Sequence, residues 1–289
     1  MRSSNPILSR RGAGRVDAEG TEVARPRPVG LSVGARRPGD GPGSPYAGFD
    51  APGPAERVTA GGTPMTLDDV VVRTAATLGT VALAAVLSWI LLPVDRTGVA
   101  RSYAVAVGCA LVAFVLALVQ TSRRTPSPPL ILGYAAFEGV FVGVLSDVTS
   151  TYIAPGVVVQ AVLGTLTVFA GVLIAYRMRW IRVTARFAGF VLAAATGFVL
   201  LTVADLLLSA FGGGHGLGFG SGGLGIAFGV AGIVLGACFL ALDFRQVEDA
   251  VADGAPREEA WLAAFGLTLT LVWIYLEALR VLTLLRGED

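Results

Sequence analysis

Five carboxylates lie inside stretches that otherwise hold little but apolar residues: Glu138, Asp147, Asp205, Asp243 and Glu277. Arg280, about one helical turn beyond Glu277, is the single base that accompanies them. A charge near the centre of a bilayer costs at least about 2.5–3.5 kcal/mol on insertion scales, so each of these groups needs a partner, water or a proton. Two carboxyls that approach one another can share one proton and titrate as a coupled pair, which is the physics of a pH-sensitive gate. Deprotonated, the same oxygens are hard ligands suited to Ca²⁺, whereas no His/Cys constellation here would suit zinc. Glu138 and Glu277 sit deepest in their runs and Asp243 near the inner end of its own. These three are the leading candidates for pH sensing or an ion pathway, and Asp243 and Glu277 are also the possible Ca²⁺ ligands. Asp147 lies close to the outer end of its run, where water suffices, and Asp205 could cap locally or face a headgroup. With Arg280 they form a secondary set.

The elements that hold these residues are read from hydropathy. More than half of the residues are hydrophobic and only 15% are charged, against about a quarter in a soluble domain. Apolar runs extend over approximately 70–92, 101–120, 129–150, 155–176, 186–211, 223–243 and 261–285, each long enough at about 1.5 Å per residue to cross some 30 Å of hydrocarbon. The expected architecture is an all-α membrane protein, a bundle of seven transmembrane helices over residues 65–289. Residues 1–64 contain 12 Gly, 9 Pro, nine Arg and six acids with hardly an aliphatic run. Such a segment buries too little apolar surface to offset chain entropy, and a disordered cytoplasmic tail is expected. The basic start is followed by no apolar core of a signal peptide. Thr66, with Asp68 and Asp69 in the following turn, reads as the cap of the first helix.

Every basic residue is an arginine, a bias of composition rather than a functional signal. Formal net charge is +1, so no basic field argues for nucleic acid. With the tail inside, the inner loops carry Arg123, Arg124, Arg177, Arg179, Arg182, Arg186, Arg245 and Arg257, and the outer loops only Arg96 and Arg101. The positive-inside rule then sets the N-terminus in the cytoplasm and the C-terminus outside.

The pairs Gly139/Gly143, Gly225/Gly229 and Gly232/Gly236 form G-x-x-x-G steps that let helices approach closely. Gly218, Gly220 and Gly223 match a bare G-x-G-x-x-G, but no strand precedes them, and an outer loop is the better reading. His215 lies in that loop as a solvated residue. Cys109 and Cys238 sit in apolar runs as small hydrophobes, and Trp89, Trp180, Trp261 and Trp273 mostly near span ends, as interfacial anchors do. No serine elbow, H-E-x-x-H, phosphate loop or Cys cluster is present, so an enzyme reading has no residue to stand on and no cofactor is implied.

Three segments point to a family. The end of the sixth run, GACFLALDFRQVEDA, the last run, TLVWIYLEALRVLTLL, and the third, YAAFEGVFVGVLSD, resemble the Bax inhibitor-1/YccA-like proteins over about residues 66–289, the actinobacterial branch most closely. The resemblance implies a seven-helix bundle in a bacterial plasma membrane, with Asp243 and Glu277 at the two family acids, a pH-sensing pair that governs a Ca²⁺ leak. Glu277 stands where the family usually has Asp. If the turn between the last two helices centres near Gly254, Asp243 lies 11 residues before it and Glu277 23 after it, a mismatch of about 18 Å along straight helices. A direct pair therefore requires residues 255–266 to run along the interface or kink; otherwise Glu277 pairs elsewhere, with Arg280 or Glu138.

Three functions compete. The first is a Ca²⁺ leak gated by protonation of Asp243 and Glu277. The second is a YccA-like modulator of a membrane-bound AAA protease, engaged through the tail. The third is a non-conducting scaffold in the lipid bilayer, a bundle that stabilises other membrane proteins and satisfies its acids internally. Deleting residues 1–60 separates the first two, because a leak measured as Ca²⁺ flux should survive the deletion and a tail-dependent interaction should not.

Overall fold

A computed structural model describes residues 63–92, 94, 98–123, 125–153, 155–211 and 216–287. The expected disordered tail up to residue 62, Arg96, Arg124 and His215 lie outside the described residues.

The seven apolar runs form seven helices: α1 Leu67–Leu91, α2 Val99–Ser122, α3 Pro128–Tyr152, α4 Val157–Arg177, α5 Ala185–Phe211, α6 Gly222–Ala252 and α7 Ala260–Gly287. All seven are long and apolar enough to cross a membrane. A 3₁₀ turn, Arg257–Glu259, leads into α7, and no strand occurs among the described residues beyond an isolated bridge between Pro64 and Pro256. The largest departure from the hydropathy reading is α6. It continues nine residues past Asp243 to Ala252, because Arg245, Glu248 and Asp249 end the apolar run without ending the helix, and Arg245 pairs with Asp249 one turn on at 2.8 Å.

The last helix is the centre of the bundle. α7 packs against α1, α3, α4 and α6, and Thr268, Ile274 and Leu279 on it are almost fully buried. α5 is the least enclosed span, burying only Val191 and Phe198 among its described residues.

Where helices touch, glycine sets the distance. A Cβ on Gly139 would lie 2.7 Å from the Cβ of Ala84, and one on Gly143 2.7 Å from Ala85 Cα, so α3 meets the α1 backbone directly. Gly232 and Gly236 bring α6 equally close to Glu277 and Ile274 of α7. The G-x-x-x-G steps are thus packing devices.

The N-terminal end of α1 is tied to the α6–α7 connection. Thr66 and Asp69 form a reciprocal capping box, and Asp69 also holds Arg257 at 2.6 Å. Arg73 donates to the Arg257 carbonyl at 2.5 Å and lies over the Trp261 ring. The Met65 N–H donates to Ala255 O and the Arg257 N–H to Thr63 O, while the Met65 side chain is buried against α6 and α7. Gly254, at φ +66°, makes the turn that presents this loop.

Candidate functional site in the membrane-spanning bundle

α6 and α7 are antiparallel neighbours, and their register decides which acids can meet. Asp243 accepts a hydrogen bond from Thr270 Oγ1 at 2.6 Å and lies beside Gly266, whose Cβ would stand 3.4 Å from Asp243 Oδ1. Glu277 instead faces Gly229 and Gly232: a Cβ on Gly232 would lie 2.8 Å from the Glu277 carboxyl carbon. Trp273 fixes this register by donating its indole N–H to Gly232 O at 3.1 Å. Its ring is therefore a mid-span hydrogen-bond donor and not an interfacial anchor.

Eleven residues of α6 separate the levels of Asp243 and Glu277, about 16 Å at the helical rise. The direct pair that the resemblance implies is not formed, since α7 begins at Ala260 and its helix runs unbroken through Gly266 to Gly287. Nor can the two carboxyls ligate one Ca²⁺ together, because first-shell oxygens lie within about 2.6 Å of that ion. Among the described residues no three His, Cys, Asp or Glu side chains converge on a possible metal position.

Glu277 belongs to a layer toward the C-terminal end of α7. Its side chain is 12% exposed and pairs with Arg280 at 3.7 Å, and its Oε2 is buried with no hydrogen-bond partner among the described residues. Arg280 turns its other face away, donating to Phe219 O at 2.5 Å and resting on the ring of Phe228. Phe228 stacks between Phe198 and Phe219 at 4.2 and 4.4 Å. The carboxylate of Glu277 thus has a charge opposite it but little direct hydrogen bonding.

Asp243 belongs to a layer nearer the start of α7, one rich in hydroxyls. Thr77 of α1 and Thr268 of α7, both essentially inaccessible, bond through their hydroxyls at 2.7 Å. On α3, Tyr134 packs edge-on against Phe265, and Ser146 bonds Tyr275 at 2.6 Å. α3 and α7 therefore run parallel, and half-buried Glu138 falls level with Thr268 and Thr270. Glu138 and Asp243 thus fall at one level of the bundle, while Glu277 lies nearer the C-terminal end of α7 with Arg280.

The secondary candidates divide. Asp205 holds the α5–α6 loop by accepting from the Leu217 N–H at 2.7 Å, against Gly216 at φ +62°. Asp147 is 7% exposed and accepts from Thr151 at 3.3 Å within its own helix. Arg73, inside the first apolar run, joins Arg280 as a second base within the spans; its partners lie more than 180 residues along the chain. Thr270, Thr268 and Thr77 carry no signal in a hydropathy plot, although four-residue spacing on one face of α7 separates Thr270 from Gly266.

Replacing Thr270 by valine removes the hydroxyl that holds Asp243 and leaves a half-satisfied carboxylate. The expected loss is about 1–3 kcal/mol of unfolding free energy, and adding Asp243→Asn should recover part of it. Chemical denaturation in mixed micelles reads both.

A family model described as Bax inhibitor 1 like matches residues 5–287. The chain belongs to that family. No curated protein matches the sequence. The Bax inhibitor 1 like match reaches further toward the N-terminus than the segments from which the resemblance was read, and it spans all seven helices, so both acid layers fall within it.

Proposed function

We propose that this Bax inhibitor 1 like protein is a pH-sensitive cation leak of a plasma membrane, with Ca²⁺ as the ion carried and protonation of intramembrane carboxylates as the gate. The observation that carries the reading is the Glu277 carboxylate, enclosed at the α6–α7 seam with one oxygen lacking a hydrogen bond. A group so placed is sensitive to its own protonation and to any cation that reaches it. The two acid layers divide the work. Asp243, which Thr270 holds, and Glu138 at the same level make an inner station, and Glu277 with Arg280 makes an outer one. Gating is then two separate protonations along one seam instead of a proton shared by a dyad.

The arginine distribution supports an N-terminus in the cytoplasm and a C-terminus outside. Arg123, Arg177, Arg179, Arg182, Arg186, Arg245 and Arg257 fall at helix ends on the side of the bundle where α1 begins, the bias expected of a cytoplasmic face.

Ca²⁺ flux into proteoliposomes, scanned from about pH 5 to 8 to bracket ordinary and perturbed carboxyl behaviour, tests the proposal. Flux should depend on pH, and Asp243→Asn and Glu277→Gln should each change that profile. Because the carboxyls are about three helical turns apart, the double variant should equal the product of the single effects to within about a factor of two. Absence of flux above empty liposomes at every pH, from protein with native thermal unfolding, ends the leak reading. Strong non-additivity restores a coupled pair.

A further inference from the structure

Residues 177–186, across the connection from α4 to α5, hold Arg177, Arg179, Arg182 and Arg186 and no acid. All four arginines are exposed, and none forms an ion pair among the described residues. Other arginines at the same end of the bundle are already engaged: Arg245 pairs with Asp249, and Arg257 with Asp69. Glu248 of α6, the acid that reaches this connection, is taken by the Tyr176 hydroxyl. Positive charge is thus compensated around α6 and α7 and left bare where α4 passes into α5.

The connection cannot carry this charge away from the membrane. Only residues 178–184 lie between two spans, and Ile181 and Val183 pack against the buried cluster that includes Leu240 and Val247 of α6. Trp180 and Arg182 alternate with them and stay exposed. A tryptophan 72% exposed at the edge of a span is placed as an interfacial group. Arg179 stands at φ +58°, closing the end of α4, where the Trp180 N–H donates back to Ala175 O. Glycine is the usual occupant of such a position, and among the described residues every other positive φ belongs to one. A glycine here would relax the backbone and remove a charge.

At headgroup depth the complementary group is a lipid phosphate. Guanidinium groups bind phosphate oxygens in pairs, and a lipid with net negative charge is drawn to them more strongly than a zwitterionic one. Arg177, in the last turn of α4, also offsets that helix's dipole. We infer that the α4–α5 connection binds the headgroup phosphate of an anionic phospholipid in the leaflet it faces, through Arg179, Arg182 and Arg186 with Trp180 at the interface beside them. The site is independent of the acid layers and of any ion flux.

The test holds the full-length protein in phosphatidylcholine nanodiscs with a trace of phosphatidylglycerol or of phosphatidylcholine bearing a photoactivatable group on one acyl chain near its ester, followed by peptide mapping. The phosphatidylglycerol probe should label residues 177–190 at least about tenfold more than the phosphatidylcholine probe, given about five-fold per arginine near a surface. Its preference there should exceed by several-fold that at residues 118–130, where Arg123 and Arg124 stand side by side in the sequence. Arg179→Gln with Arg182→Gln and Arg186→Gln should bring the two probes to parity over 177–190 and leave thermal unfolding unchanged, because these exposed side chains pair with nothing in the described fold. Sodium chloride should weaken the preference in the wild type. Equal labelling by the two probes overturns the site, and so does a preference as strong at 118–130, which would be a general attraction to basic loops. Release of the lipid by sodium phosphate beyond that by chloride at equal ionic strength overturns lipid as the ligand. A several-fold rise in the preference on deleting residues 1–60 also overturns it, giving the arginines to the acids of that segment. The wild-type maps decide the matter even if the triple variant does not fold.

Discussion

Gly143→Val is expected to cost the bundle about 3 kcal/mol or more, at or above the top of the usual range for overpacking. The reason is what the added atoms meet. Beside Gly143 stand the Ala85 backbone and the Ser88 hydroxyl, and Ser88 is held by its own bond to the Ala85 carbonyl at 2.9 Å. A flexible side chain could swing away, but a helix backbone cannot, so α1 and α3 must separate along the whole seam. Separation would also loosen Val81 and Val142, which share a buried cluster with Tyr275 and Leu279 of α7. Gly171→Val is the matched control, because a Cβ there meets nothing within 4 Å. Thermal unfolding followed by tryptophan fluorescence should show a large loss for the first variant and little change for the second. Equal behaviour of the two would refute close approach as the role of Gly143.

Arg280→Gln carries the second large effect. Arg280 stands 3.7 Å from Glu277 Oε2, the buried oxygen that has no hydrogen bond, and removing one partner of an enclosed pair leaves the other uncompensated. The pair is long, and Arg280 keeps nearly a third of its side-chain exposure. The expected loss is therefore about 2–3 kcal/mol, below the fully buried limit. The informative measurement is the rescue. Glu277→Gln added to Arg280→Gln removes the stranded charge and should return most of the stability, so the double variant unfolds at a higher denaturant concentration than Arg280→Gln alone. If the double variant is weaker still, Arg280 acts through its contacts with Phe219 and Phe228 and not through Glu277.

The seven spans were legible because lipid imposes one rule along the whole chain, and the apolar runs meet the helix ends to within a few residues except in α6. There the reading stopped at Asp243 because hydropathy measures solvent preference, whereas helix continuation depends on backbone hydrogen bonds and pairs such as Arg245–Asp249. Asp243 and Glu277 were visible as charges in apolar sequence, and counting from Gly254 already exposed the mismatch between them. What the count could not supply was the partner of each. Thr270 is as apolar as its neighbours on a sliding average, and the glycine notch that receives Glu277 exists only once α6 and α7 are in register. Arg73 is the clearest omission. Its charge makes sense only beside Trp261 and the Arg257 carbonyl, which no local pattern connects to it.

The tie between the start of α1 and the start of α7 bears on how the protein is made. Asp69 and Arg257 are 188 residues apart, and at about 5–20 residues per second the ribosome needs roughly 10–40 s to travel from one to the other. Through that interval α1 sits in the membrane with the hydroxyl of Thr77 waiting for Thr268 and its glycine-facing seam closed only toward α3. The nascent chain lacks the helix against which α1, α3, α4 and α6 all pack until synthesis is nearly over, and any ribosome that stalls before α7 releases a product lacking the bundle's central span, a form that cellular quality control can recognise by what it leaves uncovered.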